Sequence, residues 1–185
     1  MNNDVKHIVA PLESGLVKEL RAGDKVLLSG TIITGRDAAH KRMTDLIKAG
    51  ETLPFSIEGE IIYYVGPTPA PPGRPIGAAG PTTAYRMDAY APLLIEHGLK
   101  GMIGKGRRSD AVKQAMAQWG AVYFTSVGGA GALISQCIKQ AEFLAWEELG
   151  TEAVRRLVVE GLPLIVATDV HGGDLYISGP AQYRR

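Results

Sequence analysis

Apolar positions along the chain recur in two periods, one helical and one alternating or continuous. Leu12, Leu16 and Leu20 repeat at helical spacing and stop at Gly23, which predicts a short helix over 12–21. Residues 25–34, KVLLSGTIIT, are β-branched and apolar enough for a buried strand, with Gly30 marking a bulge. The polar turn Gly35-Arg36-Asp37 follows. Ala39, Met43, Leu46 and Ile47 then share one face of a helix that ends at Gly50. Residues 60–65, EIIYYV, predict a second strand. The next segment, 66–81, reads GPTPAPPGRPIGAAGP and carries six prolines, so neither a helix nor a central strand survives there. It joins a strand to an amphipathic segment, which favours an ordered functional loop over a disordered linker.

Met87, Tyr90, Ala91, Leu94 and Ile95 place a helix over 82–97, with Thr82 or Thr83 at its N-cap and Pro92 kinking it or ending it early. Strand, helix and strand follow at 99–104, 109–119 and 121–126, then a glycine loop at 127–131 and a helix at 131–140. Short strands are expected at 142–146, 156–160, 163–168 and 174–178, with His171-Gly172-Gly173-Asp174 turning between the last two. The alternation is that of an α/β fold with a β-rich tail.

At 185 residues the chain predicts a single domain. Lys and Arg total 20 against 19 Asp and Glu, and a formal charge of +1 gives no electrostatic case for nucleic acid or an anionic membrane. Hydrophobic residues at 45% with no long uninterrupted apolar run predict a soluble protein, and the lack of a basic, then apolar, N-terminal segment predicts a cytoplasmic one. Cys137 is the only cysteine, which excludes an internal disulfide and any site needing several thiolates from this chain. It falls in a predicted helix and reads as core rather than nucleophile. His7, His40, His97 and His171 are far apart in sequence, show no zinc-ligand spacing and read as surface residues.

Candidate chemistry collects in loops after strands. Arg36 in Thr34-Gly35-Arg36-Asp37, Arg86 beyond Gly80-Pro81-Thr82-Thr83, and Lys105 in Gly104-Lys105-Gly106 supply cations where ligands gather in open α/β sheets. Two arginines that can each clamp a carboxylate, with a lysine as a point charge, suit a small dianionic acid; taken singly, each reads more readily as a solvated surface charge. Thr82 and Thr83 cap a helix on the plain reading, and a threonine hydroxyl removes a proton only with help from a neighbouring cation or network. Val127-Gly128-Gly129-Ala130-Gly131 follows a strand but lacks phosphate-loop spacing, so close packing explains it better.

Four stretches, SGTIITGRDAAHKR (29–42), YYVGPTPAPPGRPIGAAGPTTAYRMD (63–88), GLKGMIGKG (98–106) and AVYFTSVGGAGAL (121–133), resemble the β subunit, or C-terminal domain, of class I iron-sulfur fumarate hydratases. The β subunit of L-tartrate dehydratase shares the GRD-like and GPTT-x-x-R-M elements but differs in the proline-rich loop. The resemblance implies a swivelling β/β/α domain, with a mixed sheet and flanking helices and a core of about 10–178, in which 66–81 is an active-site loop. It also implies a site shared with a fumarase α subunit. In the family, cysteines of the α part hold a four-iron four-sulfur (4Fe-4S) cluster, which this chain with its lone cysteine cannot carry. The family's general acid also comes from that α part. Matching motif by motif, Arg36, Arg86 and Lys105 are similar to its substrate-binding cations, Thr82 to its proposed C3 base, and Thr83 to a neighbour in the site. The implied activity is reversible dehydration of malate to fumarate by a hetero-oligomer, with a homodimer as the alternative for the isolated chain. Two other readings stand beside it: a hydro-lyase for L-tartrate or methyl-substituted diacids, and a noncatalytic anion-binding or scaffolding module.

Overall fold

In the computed structural model, which describes residues 5–183, the chain opens with β1 (Lys6–Ala10), α1 (Ser14–Glu19), β2 (Lys25–Thr34) and α2 (Asp37–Lys48). β3 (Ile61–Tyr63) leads through the proline-rich segment to α3 (Ala91–Glu96), β4 (Gly101–Gly104), α4 (Asp110–Trp119) and β5 (Val122–Thr125). α5 (Gly131–Ile134), β6 (Ile138–Ala145), β7 (Val154–Thr168) and α6 (Leu175–Ala181) complete it.

β1 lies parallel to β2, and β2, β3, β4 and β5 are successive parallel neighbours. β7 runs antiparallel to β2 along one edge, and to β6 and then β5 along the other. The pairings β2–β3–β4–β5–β7–β2 therefore close on themselves, and β1 and β6 are the edge strands. Closure satisfies the backbone groups that an open sheet would present at its margins.

Strand periodicity builds two cores. Ile61, Tyr63, Ile103, Val122 and Phe124 point to the interior shared with Leu28, Leu157 and Leu164, whereas Ile62, Tyr64, Met102 and Tyr123 point to the helices. Ala39 and Met43 of α2, Leu94 and Ile95 of α3, and Val112 and Met116 of α4 cover that second face. The parallel strands, buried on both sides, thus read as continuous apolar runs. The result is the expected α/β, β/β/α layering of a mixed seven-stranded sheet with flanking helices.

Gly30 does mark a bulge: the β2–β7 register shifts between Leu28 and Gly30, whose φ is 106°, and a side chain there would strike the Ala10 carbonyl. Elsewhere the structure corrects the expectations. The segments 156–160 and 163–168 are one strand, because β2 pairs along β7 from Arg156 to Ile165, bridging the stretch on the other side where β6 has left at Val159 and β5 joins only at Ile165. Pro163 stands opposite Leu27 of β2 and, on its other side, falls in the stretch that neither β5 nor β6 pairs. The helix expected over 82–97 is a 3₁₀ turn at Ala84–Met87 followed by α3, with Pro92 in the first turn of α3, where a proline costs nothing. Neither Thr82 nor Thr83 caps a helix with its side chain. The helix over 131–140 stops after α5 and a 3₁₀ turn at Ser135–Cys137, since Ile138 already pairs with Val159. Cys137 is accordingly beyond the α-helix, at the end of the 3₁₀ turn, and part-buried against the interior core. The strand over 174–178 is α6, started by Asp174, whose carboxylate accepts the Tyr176 N–H at 2.9 Å. β1 adds a strand that the pattern did not announce.

Candidate active site

Four parallel strands deliver their carboxyl ends to one edge of the molecule, and each is followed by a loop bearing candidate chemistry. Arg36 follows β2, Gly66 follows β3, Lys105 follows β4 and Gly128 follows β5. A Cβ on Gly128 would lie 3.9 Å from Lys105 Nζ, so the glycine loop after β5 runs beside that amine. Gly131 meets the Gly80 backbone closely enough that a side chain would crowd it, and its carbonyl accepts the Ala79 N–H at 3.0 Å. The glycine loop therefore serves close backbone packing against the end of the proline-rich segment.

The residues between β3 and α3 are tied to the β4 loop through backbone. Thr82 donates its N–H to the Tyr64 carbonyl at 2.7 Å, the Lys105 N–H donates to the Thr82 carbonyl at 3.2 Å, and the Ala84 N–H donates to the Lys105 carbonyl at 2.8 Å. Thr83 and Lys105 form a parallel bridge. Among the described residues, no hydrogen bond or ion pair occupies either threonine hydroxyl or the Lys105 amine. Both threonines are half-buried and Lys105 is exposed, so these groups are open to a ligand.

The two arginines are held differently, by carboxylates. Arg86 Nε donates to Asp37 Oδ1 at 3.0 Å and its Nη2 lies 2.8 Å from Asp37 Oδ2. Arg36 Nε stands 3.9 Å from the same Oδ2, and its Nη2 lies 3.5 Å from Glu152 Oε1. Glu152 Oε2 also accepts the Ala38 N–H at 2.8 Å, at the start of α2. Gly66 leaves room for Arg36, since a Cβ there would collide with its Nη1. The structure thus gathers Arg36 with Arg86, and Thr82 and Thr83 with Lys105, at the same end of the sheet. An apolar groove of about 380 Å³, lined by Val26, Val127, Leu133 and Leu164 among others, contains none of these five side chains.

Folding exposes contributors that the sequence pattern concealed. His40 is fully buried, contrary to the surface reading that His7, His97 and His171 satisfy. Its Nδ1 lies 2.8 Å from the Arg36 carbonyl, to which it donates, and its ring meets Tyr64 edge-on. Burial pushes its pKa down to about 4, so the imidazole is neutral. Arg108 is also buried: Nε donates to Asp88 Oδ1 at 2.7 Å and Nη1 to the Tyr64 hydroxyl at 3.1 Å. Asp88 Oδ2 accepts the Ser109 N–H at 2.6 Å, linking the turn that carries Arg86 to the start of α4. The Gly106 peptide is gripped from both sides, its N–H donating to the Tyr176 hydroxyl at 2.8 Å and its carbonyl accepting from Tyr123 at 2.9 Å. The Asp37 contact had a local sign in its adjacency to Arg36. Glu152 and Tyr176 had none, because they reach the site across 114 and 70 positions of sequence respectively.

A family profile described as Fumarase C-terminus matches residues 4–179. The chain is 41% identical over 178 residues to the anaerobic class I fumarate hydratase of Escherichia coli strain K12, spanning 95% of this chain and 32% of that protein. It is 42% identical over 154 residues to mitochondrial fumarate hydratase 1 of Leishmania major, covering 82% of this chain and 28% of that one. A protein of Methanocaldococcus jannaschii assigned as an L(+)-tartrate dehydratase β subunit is 36% identical over 166 residues, covering 86% of this chain and 85% of its own length. The chain therefore spans about a third of the length of the fumarate hydratases it matches, but most of the separate β chain.

Proposed function

The chain belongs to the fumarase C-terminus family, and on that premise we propose that it is the β subunit of a class I fumarate hydratase, interconverting (S)-malate with fumarate and water beside an α subunit in the cytoplasm. The observation that carries this reading is the convergence of Arg36, Arg86, Lys105, Thr82 and Thr83 at the carboxyl ends of the parallel strands. The side chains present do not fit a four-iron four-sulfur cluster: Cys137 is the only cysteine, and no group of three His, Cys, Asp or Glu among the described residues can hold a metal ion. The cluster belongs, in this proposal, to the α subunit.

What this chain contributes follows from its own groups. Dehydration removes the C3 proton and the C2 hydroxyl of malate: the C–H electron pair becomes the π bond between C2 and C3, and the hydroxyl departs with the C–O pair as water, the proton it needs coming from the α subunit in this proposal. Negative charge grows at C3 and onto the adjoining carboxylate as the proton leaves. Guanidinium groups already fixed beside that carboxylate stabilise the transition state more than the dispersed charge of the ground state. Arg36 and Arg86 hold the diacid, Lys105 adds a point charge, and Thr82 Oγ takes the C3 proton while Thr83 lies beside it. A hydroxyl is a weak base at its ordinary pKa, so Thr82 depends on these cations to carry negative charge.

Anaerobic reconstitution with an iron-sulfur α chain is the test. The β chain alone should be colourless and inactive, and the pair should hydrate fumarate. Hydratase activity from the isolated chain would refute the shared site, and no activity from the reconstituted pair would refute the reading. The similarity to a separately encoded tartrate dehydratase β subunit supports a second reading in the same reaction class. Relative rates on malate, tartrate and mesaconate by the same pair decide between them.

A further inference from the structure

We propose that Asp37 is a positioning residue, a carboxylate that sets the plane of the Arg86 guanidinium and its spacing from Arg36; the inference rests on the hydro-lyase reading of the site. Arg86 sits on a four-residue 3₁₀ turn, Ala84–Met87, which has little backbone of its own to fix a long side chain. Its Nε and Nη2 both face Asp37, through the 3.0 Å hydrogen bond and the 2.8 Å ion pair. A side-on pair of this kind fixes the guanidinium plane and leaves the Nη1 edge free for an incoming carboxylate. Asp37 Oδ2 also faces Arg36 Nε at 3.9 Å, so one carboxylate oxygen stands between two guanidiniums that would otherwise repel. Asp37 itself is fixed, being the first residue of the twelve-residue α2, where the helix N-terminus favours a negative charge.

The pair is too exposed, at 40% for the Arg86 side chain and 32% for Asp37, to matter much for stability. Its consequence is geometric. Asp37 also brings negative charge close to where a dianion would bind, which opposes ground-state binding. Removing that charge therefore leaves the diacid's attraction intact or stronger while the guanidiniums lose alignment where charge develops.

In the reconstituted holoenzyme, D37N should lower kcat at least tenfold with KM for malate unchanged or lower. In an R86A background the same substitution should add less than a twofold loss, because the residue acts through Arg86. D37S serves as the second variant should D37N fold poorly. A wild-type kcat in D37N, or an equal loss with and without Arg86, overturns the inference. If the wild-type pair acts on neither malate nor tartrate, the hydro-lyase reading falls, and nitrogen NMR of the chain still decides the positioning. A resolved, slowly exchanging Arg86 Nε–H that is lost in D37N supports it, and an unchanged signal in D37N overturns it.

Discussion

His40 shows what a single side chain can do behind a site without touching a ligand. Its Nδ1–H and its backbone N–H both donate to the Arg36 carbonyl at 2.8 Å, so the turn that presents Arg36 is held from within the protein. Gly35, Tyr64 and Tyr90 surround the ring, and Arg108 and Asp37 are the charges that act on it. Because burial lowers the folded pKa to about 4 from an ordinary 6.5, the unfolded chain binds the extra proton between those values. Stability from this group is complete above pH 6.5 and falls as pH drops toward 4, by on the order of 3 kcal/mol. Urea unfolding at pH 7 and pH 4.5 should therefore show a smaller acid loss in H40N than in the wild-type chain; equal losses would remove the residue from the account. For the arginines the expected effect is on turnover. Charge-assisted hydrogen bonds contribute about 1.5 to 3 kcal/mol each, so R36A or R86A in the holoenzyme should lose roughly ten- to a hundredfold in kcat/KM. Wild-type turnover in both variants would undo the clamp.

Between elements, the buried pair Arg108–Asp88 joins the 3₁₀ turn bearing Arg86 to the loop bearing Lys105. Arg108 is buried under the rings of Tyr64 and Tyr123, and burial opposes its charge, but Tyr64, Asp88 and Tyr123 together hold it above the ordinary arginine pKa. D88A would strand that charge and remove the acceptor of the Ser109 N–H, costing about 3 to 5 kcal/mol. K41A, which breaks the exposed Lys41–Asp45 pair, should change stability by less than about 0.5 kcal/mol. Similar losses in denaturant unfolding of the two variants would contradict this ranking. The difference also explains which elements the sequence disclosed. β2 and α4 carry their own signals, an apolar run and a capped amphipathic face, and both lie where the pattern puts them. Arg36, Thr82, Arg86 and Lys105 could be named as candidates because each sits in a short motif, Arg36 and Lys105 just after a strand and Thr82 and Arg86 just after the proline-rich segment. The helix over 82–97 misled because Pro92 suits a helix start as well as a kink. The apolar, β-prone Leu175-Tyr176-Ile177 reads as strand, and only the Asp174 cap announces α6. His40 could not be recognised as buried until α2 was packed against Tyr64 just after β3, and Glu152 only once the 3₁₀ segment Glu147–Glu152 before β7 had folded back onto α2.

At the scale of the molecule, the closed circuit β2–β3–β4–β5–β7 is what holds the candidate loops in a fixed relation to one another, as the proposed shared site requires. Parallel β2 to β5 bring the candidate loops to one edge, and β7 locks the outer members of that set together by pairing with both β2 and β5. No helix among the described residues is long and apolar enough to cross a membrane. Of the three candidate cations, Arg36 and Arg86 are countered by the carboxylates Asp37 and Glu152, so the local charge favours a diacid only modestly. A succinate molecule, unable to react, would gain charge-assisted hydrogen bonds from the arginines and lose translational freedom, leaving affinity on the order of 1 mM for the isolated chain. Calorimetry should show that binding weaken with added salt, since the cations are partly exposed and screening acts on them, and R86A should abolish it. Reconstitution with the α subunit should tighten it by enclosing the ligand. Micromolar binding by the isolated chain that is indifferent to R86A would mean that the diacid is held elsewhere, and the carboxyl-end face would then have to be read as the anchorage of a noncatalytic module.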